Sequence, residues 1–399
     1  MKVHGSAIVA HGGGPTTVLN SSLAGIVEEC RGAGIEKLYG ALGGATGILE
    51  ETFADLLAES DSFWVQAALS PGSILGSSRA KIAEHDFETM LNVLRRHDIR
   101  YIFLNGGNGT MELSLRLSEA IAKSSYEAFV IGVPKTIDND LAMTDHSPGY
   151  ASAARFFAYG LRDIGADNRA LPGITVVEIL GRNAGWLAAA TIQARRHDDD
   201  APHLIYMPER PLPFDRLAED VERCYLRLGR AVIAVCEGQL DEKGEPFGAD
   251  TRASSRAPLA LNLAHVLSQR LSKSLQVSAR SEKPGLLGRS CAALVSEVDR
   301  AEAFACGRAA VRAGLEGVAG KMITLERKPG PAYECNTGLA DLAEVAARER
   351  LFPASWLPQE PTDDMPEFRA WLEPLTGCIA PLPHLGGGIS SAGCLKLRN

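Results

Sequence analysis

No uninterrupted apolar run in this chain is long enough to cross a bilayer. Its charge-free stretch from His4 to Val27 is broken by Gly, Pro, Asn, Ser and Thr, whereas a span needs about 20 apolar residues. The apolar run Ser6 to Ala10 is too short for the core of an export signal, which predicts a cytoplasmic protein with no membrane partner. A basic excess is also missing: 41 Lys and Arg face 49 Asp and Glu, a net charge of −8. No broad positive field is available to hold a phosphate backbone, so nucleic acid is excluded as the main partner. The 8 cysteines include no C-x-x-C pair, so they read as reduced core thiols rather than a metal or disulfide framework. No short repeat and no low-complexity linker interrupts the chain.

What is present is ample core material: 399 residues, 45% apolar and 23% charged, enough for two domains or one elaborated one. Short apolar runs at Ala7 to Ala10, Tyr101 to Leu104, Phe129 to Val133, Thr175 to Leu180, His203 to Met207 and Val232 to Cys236 predict buried strands. Segments of helical period lie between them, at Glu88 to His97, Glu112 to Lys123, Ala151 to Ile164 and Arg216 to Leu228. Alternating strand and helix implies crossover connections, hence an α/β fold with mainly parallel sheets covered on both faces. Ligands of such sheets sit beyond the C-terminal strand ends.

Five strand ends carry unusual chemistry. Gly12-Gly13-Gly14-Pro15, ahead of a helix predicted from about Thr16, lets backbone approach an anion, although a plain tight turn would look the same. Gly106-Gly107-Asn108-Gly109-Thr110 adds a second phosphate-sized cradle and also suits a nicotinamide dinucleotide kinase-like turn. Pro134-Lys135-Thr136-Ile137-Asp138-Asn139-Asp140 packs a lysine, a hydroxyl and two carboxylates into one loop. Those groups can supply a base, a metal partner and a counter-charge for a moving phosphoryl group, where the bland alternative is an Asx-turn with a solvated lysine. Gly181-Arg182 and Glu237-Gly238 follow later strands. His11 reads as a strand-end histidine satisfied by backbone, and His197-Asp198-Asp199-Asp200 as a solvated loop rather than a metal cluster.

Together with Asn20 and Ser147-Pro148-Gly149-Tyr150, these motifs resemble the phosphofructokinase family in order over roughly residues 6 to 325. The resemblance implies two Rossmann-like three-layer lobes with an active-site cleft between them. It puts the phosphoryl-donor lobe at 1–148 with about 286–318, the sugar-phosphate lobe at 149–285 with about 319–345, and a loose extension at 346–399. It makes Asp138 the base for the sugar 1-hydroxyl with Thr136 beside it, and gives Lys135 and Asp140 to the same catalytic loop. Asp140 and Asn108 would hold Mg2+; Gly13, Gly14, Arg79, Gly107, Asn108, Gly109 and Thr110 would bind the donor. Thr136, Asp138, Arg182, Glu237, Arg280 and Arg289 would bind the sugar phosphate, with one of the two later arginines commonly supplied by a neighbouring subunit of a homodimer or homotetramer.

Several positions depart from the family pattern. Asn108 stands where members often carry a metal-associated aspartate, and Thr17-Val18 replaces a Pro-Gly. Gly173 and Leu286 occupy places of polar phosphate contacts, and Leu180 replaces a methionine. Lys135 resembles the pyrophosphate-dependent branch, since its ammonium can fill the place of a nucleotide α-phosphate, whereas Gly109 leaves room for ATP. The whole resembles bacterial pyrophosphate-dependent members most, implying a glycolytic transferase acting on fructose 6-phosphate with pyrophosphate. ATP as donor, another sugar phosphate as acceptor, and a non-catalytic regulator that binds sugar phosphates or nucleotides stand as alternatives.

Overall fold

The computed structural model describes residues 4–247, 262–330 and 332–383. Among the described residues eleven strands form two sheets: β1 (Ser6–His11), β2 (Leu38–Ala41), β3 (Phe53–Asp55), β4 (Ile99–Gly106), β5 (Phe129–Pro134), β6 (Ile174–Ile179), β7 (Leu204–Tyr206), β8 (Ala231–Cys236), β9 (Ala279–Glu282), β10 (Lys321–Arg327) and β11 (Cys335–Asp341). The first sheet runs β11-β10-β5-β4-β1-β2-β3 and is parallel except at its two edge pairs, β2/β3 and β10/β11. The second, β7-β8-β6-β9, is parallel throughout. Both are α/β layers, as the apolar runs predict: every residue of β1, β6 and β8 is buried, so these strands are covered on both faces.

Helices Leu19–Ala33 and Glu297–Leu315 pack together beneath the first sheet, where Ile26, Cys30, Cys306, Ala310 and Val311 share a core with β1, β4 and β5. Helix Asn108–Ala122 covers the other face. The second lobe is built on helix Tyr150–Ala170, whose N-terminus is held by a remote carboxylate. Asp299 accepts from the Gly149 and Ser152 backbone N–H groups at 2.8 and 3.0 Å and from the Ser152 hydroxyl.

Two expected boundaries are corrected. The stretch about 319–345 was expected with the sugar-phosphate lobe, but β10 hydrogen-bonds to β5 and carries β11 beside it, extending the first sheet. The register Lys321↔Ile131 and Met322↔Gly132 is a non-local pairing that an apolar run cannot announce. The expected loose extension is, over its described part, a packed element. Phe352, Met365, Phe368, Leu372 and Leu375 are buried against Tyr150 and Trp186 of the second lobe. Burying such side chains is worth roughly 1.5–3 kcal/mol each, which accounts for their order in a Pro- and Gly-rich stretch. Residues 384–399 of that extension, 248–261 of the expected second lobe and 1–3 of the first lie outside the described residues. The first long helix starts at Leu19 rather than near Thr16, because Thr16 bridges to Gly72 and its hydroxyl accepts from Val18 N at 3.3 Å.

Candidate active site

A cavity of about 860 Å³ opens at the C-terminal ends of β1, β4 and β5 and reaches the loop after β6. It gathers Gly13, Gly14, Arg79, Gly107, Asn108, Gly109, Thr110, Lys135, Thr136, Asp138, Asp140 and Arg182. These are the donor and catalytic residues expected from sequence, together with the first of the sugar contacts.

The two glycine turns are locked together by one side chain. A Cβ on Gly12 or on Gly106 would collide with the Thr110 hydroxyl, so glycine is required at both strand ends for Thr110 to wedge between them. Thr110 is therefore a buried spacer of the cradle as well as one of its lining residues. Gly13, at φ 80°, lies in the left-handed region, and its loop is fixed by Ser77 Oγ donating to Gly13 O at 2.7 Å. Helix Asn108–Ala122 begins inside the cavity with no side-chain cap, leaving N-terminal N–H groups for an anion.

Lys135 is buried at the base of this cradle, with Nζ donating to the Gly14 carbonyl at 2.7 Å. Burial pulls its pKa down to about 8; Asp138 and Asp140 oppose the shift, and Arg289 and Arg79 add to it. Those two arginines close the same corner: their guanidinium nitrogens are the nearest atoms to a Cβ built on Gly14. The resemblance gave Arg289 to the acceptor's 6-phosphate, whereas within one chain its tip reaches the donor cradle.

The loop 134–140 is held in shape from outside. Thr136 N donates to Pro148 O at 3.2 Å, and Asn139, in the left-handed region at φ 54°, accepts from Ser147 N at 3.0 Å. The Thr136 hydroxyl accepts from Asp138 N at 3.1 Å, an ST-turn that aims the loop. Asp138 sits at the cleft floor, walled by protein yet touched by solvent. Burial first, then the Asp140 and Glu237 carboxylates, push its pKa up, against the pull of Arg182 and Lys135. A carboxylate so tuned is suited to take a proton near neutral pH.

Asp140 also has a raised pKa, from burial and then the nearby Glu349, opposed by Thr136 and Asn108. Asn108 Nδ2 donates to Asp140 Oδ2 at 2.8 Å, while Asp140 Oδ1 is buried with no hydrogen bond of acceptable geometry among the described residues. An orphaned carboxylate oxygen at a phosphate-sized cavity fits a divalent cation. Among the described residues no three His, Cys, Asp or Glu side chains form a chelating group. That suits a hard cation held by one carboxylate, waters and substrate phosphates rather than by a protein cage.

Three expected residues lie outside this cavity's lining. Glu237 follows β8 with its N–H on Ile179 O at 2.8 Å, close enough to Asp138 to raise its pKa. Arg289 is described above. Arg280, on edge strand β9, keeps an exposed side chain 4.0 Å from Asp167. Gly173 precedes β6 at the strand end away from Arg182, which six residues of strand place about 20 Å off. Leu286 is exposed on a single 3-10 turn. His11 is corrected: its partner is not backbone but the Ser73 hydroxyl, 2.7 Å from Nδ1, and burial holds its pKa down to about 3. The 197–200 loop is solvent-facing, as expected, and is also pinned, with Asp200 Oδ2 accepting from Arg196 N and His197 N at 3.0 and 2.9 Å. Sequence reasoning gave no role to Asn183, in the turn after β6, and missed Arg348 and Glu349; the three form one wall of the cavity. The run from Ala346 to Glu349 carries no glycine turn or motif that would have marked it.

A family model described as Phosphofructokinase matches residues 6–314. Over 386 residues the chain is 37% identical to a pyrophosphate--fructose 6-phosphate 1-phosphotransferase of Rhodospirillum rubrum, covering 94% of each chain. It is 34% identical to a protein of the same name from Xanthomonas campestris pv. campestris, covering 98% of this chain and 96% of that one. A crystal structure of a pyrophosphate-dependent phosphofructokinase from Marinobacter aquaeolei superposes with a TM-score of 0.86 at 29% identity, over 96% of this chain and 94% of that one.

Proposed function

The chain belongs to the phosphofructokinase family, and on that premise we propose that it moves a phosphoryl group from pyrophosphate to the 1-hydroxyl of fructose 6-phosphate. The products are fructose 1,6-bisphosphate and phosphate. The observation that carries the choice of donor is Lys135, a buried ammonium fixed to Gly14 O inside the phosphate cradle. It supplies at the cradle floor the charge that two linked inorganic phosphates need, in space an extended nucleotide phosphate chain would claim. The relatives of R. rubrum and X. campestris named for the pyrophosphate reaction support the same reading.

Asp138 takes the proton of the sugar 1-hydroxyl, whose oxygen forms the new bond to the terminal phosphorus as the anhydride bond breaks and phosphate leaves. Lys135, Arg79 and the Gly13–Gly14 backbone hold the leaving phosphate and offset its growing charge. Thr136 fixes the loop that presents Asp138, and Arg182 and Glu237 orient the sugar. Magnesium would be held by Asp140 with Asn108 beside it, and when bound it offsets charge on the donor oxygens. Arg280, exposed on an edge strand, together with exposed Leu286 and Leu287, suits contact with a second copy in a homodimer or homotetramer. No helix among the described residues is long and apolar enough to cross a membrane.

ATP as the donor is kept as a second reading for one reason: a Cβ on Gly109 would meet nothing within 4 Å, so that side of the cavity is open. Initial rates with magnesium and fructose 6-phosphate, comparing pyrophosphate and ATP side by side, decide. Turnover with pyrophosphate alone is expected; turnover with ATP alone would overturn the donor assignment, and none with either would overturn the acceptor.

A further inference from the structure

Arg182 lies on the turn after β6 with its side chain exposed to the cavity, and among the described residues its guanidinium has no ion-pair partner within 4.0 Å. Its place is therefore set by the backbone of the turn, whose two ends are held differently. At the start, the Gly181 carbonyl accepts from the Cys236 thiol. At the end, the Gly185 N–H donates to both oxygens of Glu209, at 2.9 and 3.1 Å. A Cβ on Gly185 would come within 2.7 Å of that carboxylate and of the Met207 side chain, so the turn rests directly on Glu209.

Glu209 holds more than the turn. The Oε1 that takes the Gly185 N–H also accepts from Phe352 N at 2.9 Å, on the strap that follows Glu349. That strap is bonded to the catalytic loop: Glu349 forms a β-bridge with Leu141, and Arg350 N donates to Asp140 O at 2.8 Å. Trp186, next after Gly185, donates from Nε1 to Arg350 O at 3.3 Å, while the Arg350 guanidinium lies 4.4 Å from its ring centre and donates to Asp145 O at 2.6 Å. A run of hydrogen bonds thus leads from the loop of Asp138 and Asp140 through the strap to Glu209, and from Glu209 to the turn of Arg182. Among the described residues Glu209 has no ion-pair partner within 4.0 Å. A half-buried carboxylate whose partners are two backbone N–H groups acts by where its oxygens stand.

We propose that Glu209 is a positioning residue for the phosphoryl acceptor: it fixes the Arg182 turn to the strap and so sets where the sugar-binding guanidinium stands relative to Asp138. The inference rests on the phosphotransferase reading. Glu209 is not among the residues that line the cavity, so it acts through Arg182 rather than by touching substrate. An acceptor must meet the base with its hydroxyl and Arg182 with its other groups at once, and a misplacement of about 1 Å can cost about 10²-fold in rate.

The test is steady-state kinetics on the full chain with magnesium, each substrate varied in turn, for Glu209→Ala, Glu209→Asp, Glu209→Gln, Arg182→Ala and the double variant Glu209→Ala with Arg182→Ala. Glu209→Ala is expected to lower kcat/KM for fructose 6-phosphate about 10²-fold while the KM for pyrophosphate changes little, which also shows that the donor cradle is intact. Glu209→Gln keeps one oxygen able to accept from both N–H groups and is expected to recover most of that loss. Glu209→Asp, with its charge on a shorter stem, should lie between the two and carries the same reading should the Ala protein fail to fold. With Arg182 already removed, Glu209→Ala should cost little more, because the two act in series. An unchanged kcat/KM in Glu209→Ala or Glu209→Asp, a joint rise in both KM values, or a full second loss in the double variant would overturn the proposal. A wild-type protein that turns over no fructose 6-phosphate with either pyrophosphate or ATP would instead overturn the phosphotransferase reading, and this proposal with it.

Discussion

Lys135 donates from Nζ to the carbonyl of Gly14 at 2.7 Å, joining the catalytic loop after β5 to the phosphate cradle after β1. One side chain thus does two things: it supplies positive charge where a donor phosphate sits and holds the cradle's backbone in place. Its buried position makes the charge effective, because little water screens it.

Replacement of Lys135 by Met, which keeps the stem and removes the charge, is expected to lower kcat/KM for pyrophosphate by about 10²–10³, the range for losing one preorganised donor at a transferring group. The KM for fructose 6-phosphate should change little, since Lys135 faces the donor. Steady-state kinetics with each substrate varied in turn check this. An equal loss in both KM values with kcat intact would mean that the lysine merely supports the fold of the cleft.

Asp138 predicts an acid limb in kcat/KM. Its pKa, raised mainly by burial and next by Asp140 and Glu237, places loss of the base near pH 7, with activity falling as the pH drops below that. Glu237→Gln removes one of the two raising charges, so the limb should move to lower pH even as sugar binding weakens. A pH series from 5 to 9 on both proteins reads the direction, and a limb that stays put would remove Glu237 from the electrostatics of the base.

How much of this was legible in the sequence follows from what fixes each part. The strands after which the motifs stand are near-continuous apolar runs, so β4, β5, β6 and β8 could be read directly, and the dense chemistry between Lys135 and Asp140 marked the site. Glu349 could not be read, because an isolated Glu after a helix has no spacing to test; only the bridge to Leu141 brings it to the cavity wall. The same holds for β10, which the chain delivers to β5 from about 190 residues away, and for Phe368 and Leu372, whose burial depends on a second-lobe surface formed elsewhere. Local chemistry shows in local sequence; pairing across the chain does not.

Gly238 gives a prediction about position rather than charge. A Cβ there would collide with the Arg182 carbonyl, so the two loops after β8 and β6 touch backbone to backbone. Gly238→Ala must push Arg182 away, and the expected result is a raised KM for the sugar phosphate with the pyrophosphate KM little changed. Some stability is lost as well, about 1–3 kcal/mol for strain at a packed site. If both KM values stayed at the wild-type level, the contact would have no part in placing Arg182.

A buried histidine links the catalytic loop to the C-terminal helix and gives the last prediction, on stability. His146 lies between two carboxylates, with Nδ1 2.8 Å from Asp145 and Nε2 2.7 Å from Glu302. Asp145 in turn accepts from Trp371 Nε1 at 3.1 Å, and Glu302 accepts from the Tyr333 hydroxyl. Burial works against the imidazolium, but hydrogen bonds and charge from both acids outweigh it and raise the pKa from 6.5 to about 9. A group with a raised folded-state pKa contributes its stability in full below its unfolded value and loses it as the pH climbs through the folded one. That difference corresponds to about 3 kcal/mol. The thermal midpoint should therefore decline between pH 6.5 and 9.5 by more than the surface charges would cause. His146→Leu should be destabilised by about 3 kcal/mol at pH 6, since two half-buried acids lose the cation between them while Asp145 keeps Arg327 at 3.3 Å, and should be much less sensitive over that same interval. Parallel unfolding curves for the two proteins across the range would show that His146 is neutral in the fold, and would assign the cluster to hydrogen bonding alone.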